Sequence, residues 1–271
     1  MIGDMIGDMI MNIRFILLLL KLKLSRMMAF RASFFGAFFA DGALFVVQLI
    51  AFSAIYTHVE SIGDWGRGQM VIFVGTFSMI NALNMMVYFF GLIDIPGKIK
   101  RGDLDQYLTK PVSPLLRLTF ENMDPGSSPL LALSALIVIY GASAAGVVAT
   151  PALVLGYSAF VLLMALLYYD MSLIFRTIPF LTMSANGILQ LEAVVLDLNF
   201  KVPGVLFKGA SKVLFYFVLP YGVMATVPTQ LLSGAMEPQG LAHALAAVAA
   251  FTAFALWFWR FGLRRYKSAS S

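Results

Sequence analysis

Long apolar stretches alternate with short polar ones along most of the chain. Residues 33–56, 69–93, 129–150, 151–175 and 240–259 are each long enough to cross a bilayer as helix, which takes about 20 residues at about 1.5 Å rise. Two further stretches are apolar but flawed. Residues 177–200 contain Pro179, Asn186, Glu192 and Asp197, and residues 213–235 are broken by Pro220, Gly222 and Pro228. The longest polar interruption is 98–118, KIKRGDLDQYLTKPVSPLLRL, which cannot lie in hydrocarbon and must sit at or beyond a membrane surface. Its pattern predicts that Pro96-Gly97 ends the preceding helix and that Gly102-Asp103 starts a short one. Leu104, Tyr107 and Leu108 then fall at i, i+3, i+4 as one apolar stripe, and Pro111 and Pro114 stop the turn.

The start of the chain follows a different pattern. Residues 1–11 repeat Met-Ile-Gly-Asp and read as a disordered lead, with Met11 an alternative initiator. In residues 12–31 an apolar run at 15–20 is cut by Lys21 and flanked by Arg14, Lys23, Arg26 and Arg31. That run is too short to span and suits a helix lying in the membrane interface.

Composition makes the class firm. Of 271 residues, 60% are hydrophobic and only 12% charged, about half the share in soluble domains. Mean hydropathy is +0.86, and the sequence reads as an all-α polytopic membrane protein. The net charge of +5 gathers at the chain ends and in loops, the positive-inside pattern, and does not point to nucleic acid. Basic residues at both ends place both termini on the cytoplasmic side, which demands an even number of crossings. Six is the natural count for seven apolar segments, so either 177–200 or 213–235 fails to cross. Acidic residues at a span centre cost about 2.5–3.5 kcal/mol each, which counts against 177–200. Its failure would also leave Lys201, Lys208 and Lys212 inside. The two prolines count against 213–235. The residues alone leave the two close to even.

Little in the sequence speaks for bond chemistry. There is no phosphate-binding loop of the Gly-x-x-x-x-Gly-Lys-Ser/Thr type, no nucleophile elbow and no cysteine, and His58 and His243 are far apart. Asp41, Asp170, Glu192 and Asp197 are the candidate charges of an ion pathway. Asp41 and Asp170 lie within two turns of a predicted helix end and read as interfacial or paired with Arg31 or Arg176. Met79, Met85, Met86 and the run Tyr88-Phe89-Phe90 read as packing and lipid contact.

The segment GDLDQYLTKPVSPLLRL at 102–118 resembles the cytoplasmic loop of the type-2 ABC exporter permeases, closest to a bacterial branch of transport-system permeases. YFVLPYGVMATVPTQLL at 216–232 and FWRFGLRRYKSASS at 258–271 are similar to the same family, and the likeness runs from about Asn12 to the end. The resemblance implies six spans with cytoplasmic termini (33–56, 69–93, 129–150, 151–175, 177–200 and 240–259), an interfacial helix at 12–31, a coupling helix near 99–109 and a re-entrant segment at 213–235. It implies a bacterial inner-membrane permease subunit of an ATP-driven exporter. Ile99, Leu104, Tyr107 and Leu108 would dock a separate ATPase dimer, which binds ATP and Mg, and a second permease chain, the same or related, would complete the path. A transporter acting alone, proton-coupled or passive, with Glu192 and Asp197 as its pathway charges, is the alternative.

Overall fold

The computed structural model describes residues 31–182 and 186–266, together with Ile16, Leu18, Leu19 and Lys21. The expected lead at 1–11 and all but a few residues of the expected interfacial helix lie outside that range, as does the side chain of Asp41. The protein is about 79% helical, with no strand among the described residues. In chain order the helices are α1 (Arg31–Ile55), α2 (Arg67–Arg101), α3 (Asp105–Leu108), α4 (Pro114–Phe120), α5 (Ser128–Ala144) and α6 (Pro151–Thr177). They continue with α7 (Asn186–Lys201), α8 (Gly209–Val218), α9 (Tyr221–Leu232) and α10 (Pro238–Arg265). Four of these, α2, α5, α6 and α10, are long and apolar enough to cross a membrane, and the bent pair α8–α9 makes a fifth if counted as one span. The chain is therefore an all-α integral membrane protein. Its exposed faces agree, because Leu136, Ile139 and Tyr140 of α5 and Leu155 and Leu162 of α6 all point outward. Such contiguous apolar surface is stable only against lipid or another chain.

The central helix is α6. Tyr157, Phe160, Val161, Met164, Leu167, Tyr168 and Met171 recur at helical spacing and bury one face at the heart of the main core cluster. Against α6 lies α2, held by two buried hydroxyl contacts: Thr76 Oγ1 to Tyr157 Oη at 2.8 Å, and Tyr88 donating to the Ala165 carbonyl at 2.8 Å. The approach of α2 to α5 is closer still, because it is made across glycines. A Cβ on Gly141 would stand 2.7 Å from the Ile72 backbone nitrogen, and one on Gly75 would stand 2.7 Å from the Val138 side chain.

The course of α2 differs from the sequence expectation. The preceding helical segment ends at Leu92, and after a turn at Ile93-Asp94 the helix resumes as Ile95–Arg101 with Pro96 in its first turn, where its missing N–H removes no bond of that segment, so the two run on as one long helix. It stops at Gly102, whose φ of 75° is the left-handed cap that glycine adopts without strain. A π-helical turn at Met85–Phe89 interrupts α2 on the way. Within the polar loop α2 ends at Arg101, α3 is a single turn where a longer helix near 99–109 was expected, and Pro114, expected to stop a helix, opens α4 instead.

Beyond α6 the chain is irregular. Helix α7 has 16 residues, about 24 Å of helix. Its end meets α1 and α2, with the Phe200 ring 5.6 Å from Phe45 and 4.8 Å from Phe77. Helices α8 and α9 meet at an 81° bend where Pro220 interrupts the ladder. Contacts between ends set the vertical order. A Cβ on Gly63, before α2, would meet Leu206, and one on Gly156, early in α6, would meet Leu231 at the end of α9. At the other end, one on Gly262 of α10 would meet Thr177 and Phe180, where α6 finishes.

Candidate functional site

The polar loop is built on Glu121, which follows α4. Its carboxylate accepts from the Tyr107 hydroxyl at 2.8 Å and pairs with Lys98 Nζ at 2.8 Å. Lys98 also pairs with Asp94 at 2.7 Å, one turn back on the same helix. Arg117 completes the cluster, its guanidinium lying 4.5 Å over the Tyr107 ring and 3.9 Å from Glu121. One carboxylate thus ties the end of α2, the turn α3 and the end of α4 into a single piece. Burial, then the bond and charge of Glu121, push the Tyr107 hydroxyl above the ordinary tyrosine range, so it stays a donor at neutral pH.

Below this polar layer the loop is anchored by packing. Leu104 and Tyr107 join Tyr88, Leu92, Ile95, Leu118, Leu173 and Trp259 in one buried cluster, with Ile99 packed at its edge. The backbones of α2 and α4 nearly touch, since a Cβ on Gly91 would fall 2.0 Å from the Leu118 carbonyl oxygen. The stripe of Leu104, Tyr107 and Leu108 therefore divides. Leu104 and Tyr107 face inward, and Leu108, 46% exposed, faces out beside exposed Gln106, Thr109 and Lys110. Sequence reading found the stripe but missed Glu121, Lys98 and Asp94. Their signal was the spacing: Asp94 stands four residues before Lys98, and Glu121 four after Arg117.

The two pathway charges do not come together. Glu192 is buried and pairs with Arg176 at 2.6 Å, with Ser172 Oγ donating to its other oxygen at 3.1 Å. Arg176 Nη1 also donates to the Ser172 carbonyl at 3.2 Å, so the pair links α7 to α6. Asp197 lies on the exposed side of α7 and pairs with Lys201 at 2.7 Å, a surface contact. Asp170 accepts from Thr252 Oγ1 at 2.5 Å and joins α6 to α10, not to Arg176. Among the described residues no group of three or more His, Cys, Asp or Glu could hold a metal ion.

The geometry is that of a tightly bonded loop with one outward face, rooted in the ends of long apolar helices. A family model described as "ABC-2 family transporter protein" matches residues 43–270. The chain belongs to that family, whose members are membrane components of transporters and not themselves catalytic. No curated protein and no solved structure matches it.

Proposed function

We propose that this member of the ABC-2 transporter family is the membrane-spanning permease subunit of an ATP-driven exporter, moved by a separate ATPase through the 98–118 loop. The observation that carries this reading is the division of the loop into a bonded underside and an exposed tip. Glu121, Lys98, Tyr107 and Leu104 fix the loop to α2 and α4. Gln106, Leu108, Thr109 and Lys110 remain for a partner. In this reading a push on that tip reaches the spans through the bonds of Glu121 and the packing of Leu104 and Tyr107. The ATPase dimer binds ATP and Mg, and its closure rocks two permease chains, identical or related, between two arrangements.

In this reading α1, α2, α5, α6, α7 and α10 cross the membrane, and both termini lie on the ATPase side of a bacterial inner membrane. The pair α8–α9 enters and leaves from the outer face. The contacts of Leu206 with Gly63 and of Leu231 with Gly156 support this, since they bring both ends of the 206–231 segment to one level. The stand-alone carrier has less to rest on, because Glu192 and Asp197 occupy separate environments.

The test is purification of the tagged chain from its native membrane in mild detergent, with mass spectrometry of its companions. An ATPase subunit bearing a phosphate-binding loop is expected, and it should be lost from a Leu108→Asp/Lys110→Glu variant that still inserts. If the ATPase stays at its original stoichiometry on that variant, the loop is not the docking site. A chain that purifies alone and moves solute in liposomes without ATP overturns the exporter reading.

A further inference from the structure

The last turns of α10 carry a second outward face that the loop does not involve. Ala253, Leu256, Trp257, Arg260, Phe261 and Arg264 recur at i, i+3, i+4, i+7, i+8 and i+11, one stripe of the helix. They line an open recess of about 340 Å³. The opposite side, Ala255, Trp259 and Gly262, is buried against the rest of the protein. Trp257 and Phe261 stack with centroids 5.7 Å apart, and Arg265 lies 5.2 Å over the Phe261 ring. Neither Arg260 nor Arg264 has a carboxylate within ion-pair distance among the described residues.

This order of side chains along a span has a definite chemical complement. Ala253, Leu256 and the Trp257 ring need hydrocarbon against them, while a tryptophan followed by arginines belongs at the level of lipid headgroups. Two exposed guanidinium forks one turn apart match the oxygens of a phosphate diester. A soluble anion would satisfy the arginines and leave the apolar recess uncovered. A second protein chain would have to bring carboxylates to avoid burying two unpaired cations. We propose that this stripe is a binding site for an anionic glycerophospholipid, its phosphate held by Arg260 and Arg264 and an acyl chain laid along Leu256 and Trp257. The proposal needs only that α10 spans a membrane and is independent of what the chain transports.

The three tryptophans make a direct test. Trp65 and Trp259 are 2% and 3% exposed, whereas Trp257 is 57% exposed, so quenching by brominated acyl chains reports on Trp257. The full chain is reconstituted in phosphatidylcholine vesicles containing a small fraction of either brominated phosphatidylglycerol or brominated phosphatidylcholine. Phosphatidylglycerol should quench more strongly, as if enriched about fivefold for each arginine that holds it. Arg260→Gln/Arg264→Gln should quench equally with both lipids, and Trp257→Phe should lose most quenching with either. Equal quenching in the original chain, or a preference that survives the double substitution, overturns the proposal. Quenching by neither lipid also overturns it, because the face is then covered by protein.

Discussion

Arg176 and Glu192 form a buried ion pair that ties α7 to α6. Their charges meet at 2.6 Å between two helices, with both side chains almost wholly buried. The attraction offsets a large desolvation cost, so such a pair is weak evidence for net stability, but removing one partner leaves an unpaired buried charge. Glu192→Ala should therefore cost about 3–5 kcal/mol. The loss should show as a sharply lower unfolding temperature in detergent. Arg176→Met/Glu192→Leu should recover most of the loss, since it removes both charges and keeps apolar bulk. If the double variant is no more stable than Glu192→Ala, the pair does more than satisfy its own burial. Asp197→Asn supplies the contrast: its partner Lys201 is exposed, and the change should move stability by less than about 1 kcal/mol.

At the scale of elements, the pairing of α2 with α5 rests on missing side chains. Gly141→Leu should force the helices apart, because its Cβ would meet backbone at Ile72, which cannot swing aside. A cost of about 1–3 kcal/mol is expected, or more if α5 detaches, read again as detergent stability. Gly187→Ala, with open space around it, should be tolerated. The helices themselves were legible in the sequence, since an uninterrupted apolar run of span length has few other readings. Three features were not legible. Pro96-Gly97 looked like a stop, but a proline in a first helical turn costs no hydrogen bond, and only the neighbouring turns decide which case applies. The i, i+3, i+4 spacing puts Leu104, Tyr107 and Leu108 on one stripe, yet Leu104 and Tyr107 face the protein and Leu108 faces out, a division of which spacing gives no sign. Glu121 escaped for a related reason, since its partners Lys98 and Tyr107 are distant in sequence and meet it only after α4 folds back.

At the scale of the whole molecule, the open choice is which irregular segment crosses, and the charge pattern and the contacts favour different answers. If residues 177–200 fail to cross, Lys201, Lys208 and Lys212 stay with Lys110 on the inner side, as the charge rule prefers. If α7 crosses and α8–α9 re-enters, the three lysines lie outside, level with the loop that contains Asp64. The contacts favour the second arrangement. The side chain of Leu206 stands within van der Waals distance of a Cβ built at Gly63, and the Gly204 amide donates to Thr226 Oγ1 at 2.9 Å. The chain has no cysteine, so single cysteines can be placed without background. Asp64→Cys, Lys110→Cys and Ser211→Cys each sit in polar, exposed or half-exposed loops or helix starts away from the buried cores. A membrane-impermeant maleimide added to intact cells should label Asp64→Cys and Ser211→Cys, and should reach Lys110→Cys only after the membrane is opened. Labelling of Ser211→Cys together with Lys110→Cys would reverse the assignment. Helices α8 and α9 would then form the fifth crossing, bent by 81° at Pro220 within the bilayer, and the freed backbone groups at that bend would need a cavity or a second chain around them.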